Sequence, residues 1–188
     1  MRKLLLGSVF LLGLTDMAVA APVSYELIKE KSQLKFVAIQ NNAPVTGMFK
    51  EFDAEISFDY TRPQDGKIKA TIKTGSVTTD YEEVEKNLKL PEWLAVEMFP
   101  EAKLETTLIS QIPSSNNYYA EGKLTLRDKT MPIVLNFQIK DFGDTAIAEG
   151  YATVKRSDYG VGQGEWANAD VVKNEVRVEF RINAKKIN

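Results

Sequence analysis

The chain has 188 residues, a formal net charge of −2 at pH 7, and neither histidine nor cysteine. These absences exclude Ser-His-Asp and Cys-His catalytic triads, disulfide bonds and the usual Cys/His zinc sites. The charge is nearly balanced and shows no long run of one sign. The chain therefore lacks the basic patch on which nucleic-acid binding relies.

The N-terminal segment is typical of an export signal. Arg2 and Lys3 precede a short apolar run, and Ala18-Val19-Ala20 follows as a small-residue cleavage site. The apolar run is too short to span a bilayer. We therefore expect a signal peptide over residues 1–20, a single mature domain over 21–188, and a periplasmic location for the mature protein.

Apolar and polar residues alternate along most of the remaining chain. In the clearest run, Phe52, Ala54, Ile56 and Phe58 alternate with polar residues. A period of two predicts a half-buried strand. Roughly seven or eight such strands, joined by short turns, predict a β-sandwich or an up-and-down barrel. The other alternating runs lie at 33–38, 67–73, 102–108, 124–126, 133–139, 146–155 and 176–182.

One segment between two predicted strands breaks this alternation. Thr79-Asp80 is suited to cap the N-terminus of a helix. Tyr81, Val84 and Leu88 then recur at helical spacing. A proline opens a second short helical turn at 91–94. The sequence therefore predicts a helical insert that covers one end or one side of the sheet.

The segment 156–166 reads Arg-Ser-Asp-Tyr-Gly-Val-Gly-Gln-Gly-Glu-Trp and joins two predicted strands. Its three glycines allow positive φ angles and close backbone approach, whereas a plain hairpin needs only about two to five turn residues. Arg156 either forms a local ion pair with Asp158 or presents its planar fork to an anionic headgroup. Trp166 and Trp93 are either rim aromatics or core plugs. The segment is thus a structural plug or the rim of a binding site.

Five fragments follow one another in a recognisable order. They are Gly47-Met48-Phe49 through Phe58-Asp59, Ser76-Val77-Thr78-Thr79 through Pro100, Gly122-Lys123-Leu124-Thr125-Leu126 through Ile133, Arg156-Ser157-Asp158-Tyr159-Gly160, and Gly162-Gln163-Gly164-Glu165-Trp166. Together they resemble the YceI-like family of exported lipid-binding proteins, and the resemblance covers about residues 25–185. The last fragment resembles a subgroup in which some members are associated with an inner-membrane cytochrome.

The resemblance implies an eight-stranded antiparallel, lipocalin-like barrel with a short helical insert between strands. It also implies a long isoprenoid or acyl chain inside the barrel, and about eight strands enclose room for one small ligand. The inward residues either line such a lumen or pack together as a filled core. The predicted lumen residues are Phe36, Phe52, Ile56, Phe58, Ile72, Leu104, Leu124, Leu126, Leu135, Phe137, Val178 and Phe180.

Headgroup contacts are expected at the rim, from Gln40, Arg156, Asp158 and Trp166. Gln40 stands where many family members have a histidine, and its inward amide needs a hydrogen-bond partner from a headgroup or from the backbone. An Arg-Asp-x-His-Leu stretch of the family is replaced here by residues 84–88. The family's headgroup contacts within residues 84–88 are therefore not carried over to this chain.

Two functional hypotheses follow. The first is a carrier for an amphiphile such as a polyisoprenoid, an isoprenoid quinone or a fatty acid derivative. The second is an interaction module that partners a membrane redox protein, with a packed barrel and no ligand. An enzyme is disfavoured because the glutamates at 82, 83 and 85 suit the polar face of a helix. We expect no cofactor or metal, and a homodimer that closes the lumen mouth would hide apolar surface.

Overall fold

The alternating runs form strands in the computed structural model, which describes residues 22–187. The predicted signal peptide lies outside these residues. Within them, one α-helix, α1 (Glu82–Lys89), lies between the sixth and seventh of eleven strands. The strands are β1 (Val23–Leu27), β2 (Gln33–Gln40), β3 (Ala43–Phe49), β4 (Phe52–Phe58), β5 (Lys67–Lys73), β6 (Val77–Thr79), β7 (Glu101–Gln111), β8 (Asn117–Leu126), β9 (Lys129–Asp141), β10 (Thr145–Lys155) and β11 (Glu175–Lys186).

The strands close into an antiparallel barrel of eight. Hydrogen bonding runs through β1, β4, β5, β7, β8, β9, β10 and β11, and β11 pairs again with β1. Tyr25 of β1 is therefore opposite Ile56 on one side and Lys186 on the other. This closure confirms the predicted barrel and removes the sandwich alternative.

The three remaining strands extend the wall at one end of the barrel. β2 pairs with β11 and with β3, and β3 pairs with β6. A 3₁₀ turn at Lys29–Lys31 separates β1 from β2, and another at Thr74–Ser76 separates β5 from β6. The chain thus bends at both turns, where it passes from the closed barrel into this extension.

The extended end of the barrel is covered by two segments, residues 80–100 and 156–174, which we call the cap. The opposite end carries the turns before β5, after β7 and after β9, and we call it the hairpin end. Within the cap, Lys86 pairs with Glu82 at 2.7 Å and Lys89 pairs with Glu85 at 2.8 Å, each at i,i+4 spacing that supports α1.

Two details of the predicted insert differ in the structure. The residue that caps α1 is Tyr81, without a side-chain cap, because the Thr79 hydroxyl bonds to the Tyr81 backbone instead of to the first turn. The predicted cap at Thr79-Asp80 is therefore wrong. Residues 91–94 form a hydrogen-bonded turn, in which the Trp93 N–H donates to Leu90 O at 3.0 Å.

Candidate functional site

The interior of the barrel contains an apolar cavity of about 310 Å³. Inward residues of the strands form most of its wall, and Leu88, Trp93 and Leu94 of the cap close one end. The volume lies at the lower limit of the range of roughly 300–1,000 Å³ that is typical of small-molecule sites. The described residues therefore form a cavity, and the alternative prediction of a filled core is wrong.

Short side chains create this space. Ala54 of β4 lies opposite Ala70 of β5, and Ala70 lies opposite Leu104 of β7. All three line the cavity. Because an alanine side chain ends at Cβ, neighbouring alanines leave room between strands that larger residues would fill.

The structure places all twelve predicted lumen residues on the cavity wall. Whether they contact a ligand stays a prediction. The residues are Phe36, Phe52, Ile56, Phe58, Ile72, Leu104, Leu124, Leu126, Leu135, Phe137, Val178 and Phe180.

The predicted rim residue Arg156 is buried, with only 3% of its surface exposed. All five of its N–H groups donate to backbone carbonyl oxygens. Burial lowers the pKa of the Arg156 guanidinium. The accepting carbonyls, at 2.7–3.2 Å, belong to Val161, Gly162, Trp166, Val172 and Lys173.

These bonds decide between the two interpretations of Arg156. An ion pair with Asp158 was one prediction, and it is wrong because Asp158 is exposed while the guanidinium bonds only to carbonyls. A hydrogen bond from Arg156 to a headgroup was the other, and no N–H group is left to form it. Arg156 instead holds the 156–174 segment against the barrel.

The glycines of this segment have the positive φ angles that the sequence predicts. The φ angles are 66° at Gly160, 76° at Gly162 and 63° at Gly164. A Cβ atom on Gly162 would overlap the Arg156 guanidinium and lie 3.2 Å from Cζ3 of Trp93. The backbone at Gly162 therefore approaches the buried arginine at a distance that only glycine permits.

Arg156 lines the cavity, whereas the predicted rim residues Trp166 and Gln40 lie off its wall. Trp166 is half-buried and packs on Trp93, with ring centroids 5.6 Å apart. Gln40 lies at the end of β2, where its backbone pairs with Ala43 and forms a bridge to Val172. Gln40 therefore lies next to the cap, beyond the part of β2 that lines the cavity.

Arg127 is a residue whose role sequence reasoning missed. Its Nη1 group donates to Pro91 O at 3.0 Å and to Gly160 O at 2.9 Å, and also to Trp93 O. These carbonyls belong to both segments of the cap, so Arg127 joins the segments to each other. In the sequence, Arg127 belongs to a turn signal, and nothing local points to partners this distant.

Two tyrosines at the hairpin end were also missed. Tyr25 and Tyr60 line the cavity, and the Tyr60 ring meets Phe58 edge-on with centroids 5.1 Å apart. The Tyr60 hydroxyl is buried and has no hydrogen-bond partner among the described residues. Burial raises the pKa of Tyr60, and the nearby Tyr25 and Asp141 raise it further. Both tyrosines flank apolar runs, but no short motif in the sequence brings them together.

Within residues 22–187, no group of three or more acidic, histidine or cysteine side chains is arranged to hold a metal ion. None of the helices in this part of the chain has the length and apolar character needed to cross a membrane.

Comparison with known sequences identifies relatives of this chain. The YceI-like domain family matches residues 25–184. Protein YceI of Salmonella agona is 35% identical over 150 residues, which cover 77% of this chain and 76% of the relative. A UPF0312 protein of Photorhabdus laumondii is 34% identical over 97 residues, which cover 52% of this chain and only 50% of that relative's length.

Solved structures share the barrel. The crystal structure of BcnA from Burkholderia cenocepacia has a TM-score of 0.81 and 28% identity, covering 85% of this chain and 100% of BcnA. A domain from Saccharophagus degradans, described as polyisoprenoid binding, has a TM-score of 0.66 and 15% identity, covering 88% of this chain and 99% of the domain. The fold agrees with the sequence match over nearly all of the described residues. The chain therefore belongs to the YceI-like family.

Proposed function

We propose that this protein is an exported, periplasmic carrier for a long-chain amphiphile, and that it is not an enzyme. The amphiphile is a polyisoprenoid, an isoprenoid quinone or a fatty acid derivative. The apolar cavity of about 310 Å³ inside the barrel carries the proposal. The export-like N-terminal sequence supports the location, and the description of the S. degradans domain as polyisoprenoid binding supports the ligand class.

The chemistry of the wall favours a hydrocarbon tail. Among the described residues of the wall, only Tyr25, Tyr60, Thr74, Trp93 and Arg156 have polar side-chain atoms. Burying one methylene group is worth about 0.8 kcal/mol. Roughly ten to twenty such groups contribute about 8–16 kcal/mol, against an association cost of about 4–15 kcal/mol. Chains longer than about ten carbons are therefore favoured over short ones.

A second candidate function is docking to a membrane redox protein such as an inner-membrane cytochrome. It is favoured by the exposed side chains of Gln163 and Glu165, which belong to the subgroup-like fragment 162–166. The buried Arg156 anchors this segment, so its outer surface is presented in a defined shape. Docking to a partner and binding of a lipid are compatible functions. The homodimer is a separate proposal, which sedimentation velocity tests.

The carrier function is tested by blocking the cavity. Ala70→Trp places a large ring between β4 and β7, whereas Lys69→Trp, one residue earlier, adds the same ring to the outer face of β5. Native mass spectrometry of the protein from its own host should find a bound amphiphile in the wild type and the control. The Ala70→Trp protein should carry none, provided that it folds. Absence of any co-purifying lipid, with no uptake of added polyprenol, quinone or fatty acid by the wild type, would overturn the proposal.

A further inference from the structure

The two ends of the cavity differ in the hydrogen bonds they offer. At the cap end, every N–H group of Arg156 is already bonded to a backbone carbonyl. The indole N–H of Trp93 is unpaired there, and the Arg156 guanidinium lies over the Trp93 ring, 5.9 Å from its centroid. The cap end therefore has a buried charge whose donors are occupied.

The hairpin end offers hydroxyl groups instead. Tyr25 and Tyr60 both line the cavity, and the buried Tyr60 hydroxyl has no hydrogen-bond partner of ordinary geometry among the described residues. Their phenol groups nevertheless lie close enough to shift each other's pKa. A buried hydroxyl without a partner is unfavourable, and such groups in native proteins are often completed by a ligand or water.

The surroundings hold this pair of rings in place. Phe58 meets Tyr60 edge-on at 5.1 Å and Tyr118 at 5.5 Å, and Tyr118 stacks on Phe137 at 5.7 Å. Tyr25 is only 8% exposed. Fixed rings present their hydroxyl groups without a large loss of rotational freedom on binding, which favours a specific contact.

The charges near the pair favour an uncharged ligand group. Burial raises the pKa of Tyr25, and the carboxylates of Asp141 and Asp59 raise it further, so the phenol is a neutral donor at physiological pH. The carboxylate of Asp141 repels an anionic headgroup, whereas the charge of Asp59 is balanced by Arg62 at 3.0 Å. A phosphate or carboxylate headgroup is therefore disfavoured at this end, whereas a carbonyl oxygen can accept from either hydroxyl.

We propose that the phenol groups of Tyr25 and Tyr60 form the headgroup site of the cavity. This site selects amphiphiles whose headgroup is an uncharged hydrogen-bond acceptor, such as the carbonyl of a quinone, an amide or an ester. The inference rests on the proposed carrier function and narrows its ligand class.

The test compares three ligands of equal chain length: hexadecanamide, hexadecanoate and hexadecane. Binding to delipidated full-length protein is measured by calorimetry for the wild type and for Tyr60→Phe. Loss of one hydrogen bond is expected to weaken hexadecanamide binding by about 5- to 10-fold. Hexadecane binding should be unchanged in Tyr60→Phe, and the wild type should prefer the amide to the carboxylate.

Two further variants distinguish this site from a headgroup site at the cap end. Tyr119→Phe removes a phenol from a residue of β8 that does not line the cavity. This variant should bind all three ligands with the same affinity as the wild type. Trp93→Phe removes the unpaired donor at the cap end. The proposal is overturned if Tyr60→Phe keeps the preference for the amide, if Trp93→Phe abolishes it, or if hexadecanoate binds as tightly as the amide. Failure of all three ligands to bind the wild type would instead refute the carrier function.

Folding of the test variant is checked separately. Because the Tyr60 hydroxyl has no partner, its removal should leave the melting temperature unchanged or slightly raised. A lower melting temperature would show that the hydroxyl is bonded within the protein, and would also count against the proposal.

Discussion

Replacement of Arg156 by lysine separates a structural role from a ligand-binding role. Lysine keeps the positive charge but has three N–H donors where arginine has five. At least two of the five carbonyl oxygens that Arg156 now bonds would therefore lose their partner. Each buried group left unsatisfied costs about 1–3 kcal/mol, so Arg156→Lys should lower the free energy of unfolding by about 2–6 kcal/mol.

Thermal and urea unfolding measure this loss. For a domain of this size, each kcal/mol lowers the melting temperature by about 2–4 °C. The control is Arg181→Lys, because Arg181 is 49% exposed and pairs with Glu149 at the surface. It should cost less than about 1 kcal/mol. If both variants lose the same small amount, or if Arg156→Lys keeps its stability but loses ligand affinity, the structural interpretation of Arg156 is wrong.

Three further predictions concern Gly162, Arg127 and Tyr60. Gly162→Ala should destabilise the protein by about 2–4 kcal/mol in urea unfolding. The control is Gly143→Ala, because Gly143 has a φ of 84° and no atom within 4 Å of its Cβ position, so it should lose only about 1–2 kcal/mol from backbone strain. Equal losses in the two variants would contradict the close approach of Gly162 to Arg156. Arg127→Met should speed amide hydrogen exchange in residues 90–96 and 160–163 more than in β9, because it frees three carbonyls that join the cap, and uniform protection would contradict this. Since burial raises the pKa of Tyr60 above its ordinary value of 10.0, the unfolded chain releases that proton first, and stability should fall as the pH rises above 10.0. Tyr60→Phe should lose less stability than the wild type between about pH 9 and 11, and identical pH profiles would refute the burial effect.

The strands and the lumen residues were predictable from the sequence because their signal is local. Phe52, Ile56 and Phe58 are inward because side chains alternate along a strand, and this alternation is visible in neighbouring residues. The number of strands left a sandwich or a barrel open, and the resemblance to the YceI-like family implied the barrel. The positive φ angles at Gly160, Gly162 and Gly164 were likewise predictable, since glycine is the residue that adopts them most readily.

The size of the cavity was not predictable in the same way. Ala54 and Ala70 read as ordinary members of apolar faces, and their effect depends on lying opposite each other across two strands. Strand register decides this, and register is a property of pairing between distant segments.

The rim shows why sequence alone was insufficient for the polar residues. Arg156 and Asp158 are close enough in the chain to pair, yet the guanidinium bonds to carbonyls as far along the chain as Lys173. Arg127 reaches carbonyls on two other segments.

The sequence by itself thus determined the barrel, its inward faces, the position of the insert and the need for glycines in the 156–166 segment. Only the tertiary structure decided that the lumen is open, that Arg156 is a buried anchor, and that Tyr25 and Tyr60 meet at the hairpin end. The physical reason is that alternation and backbone preference act between neighbouring residues, whereas a buried polar group bonds to whichever carbonyl or hydroxyl the folded chain brings near it.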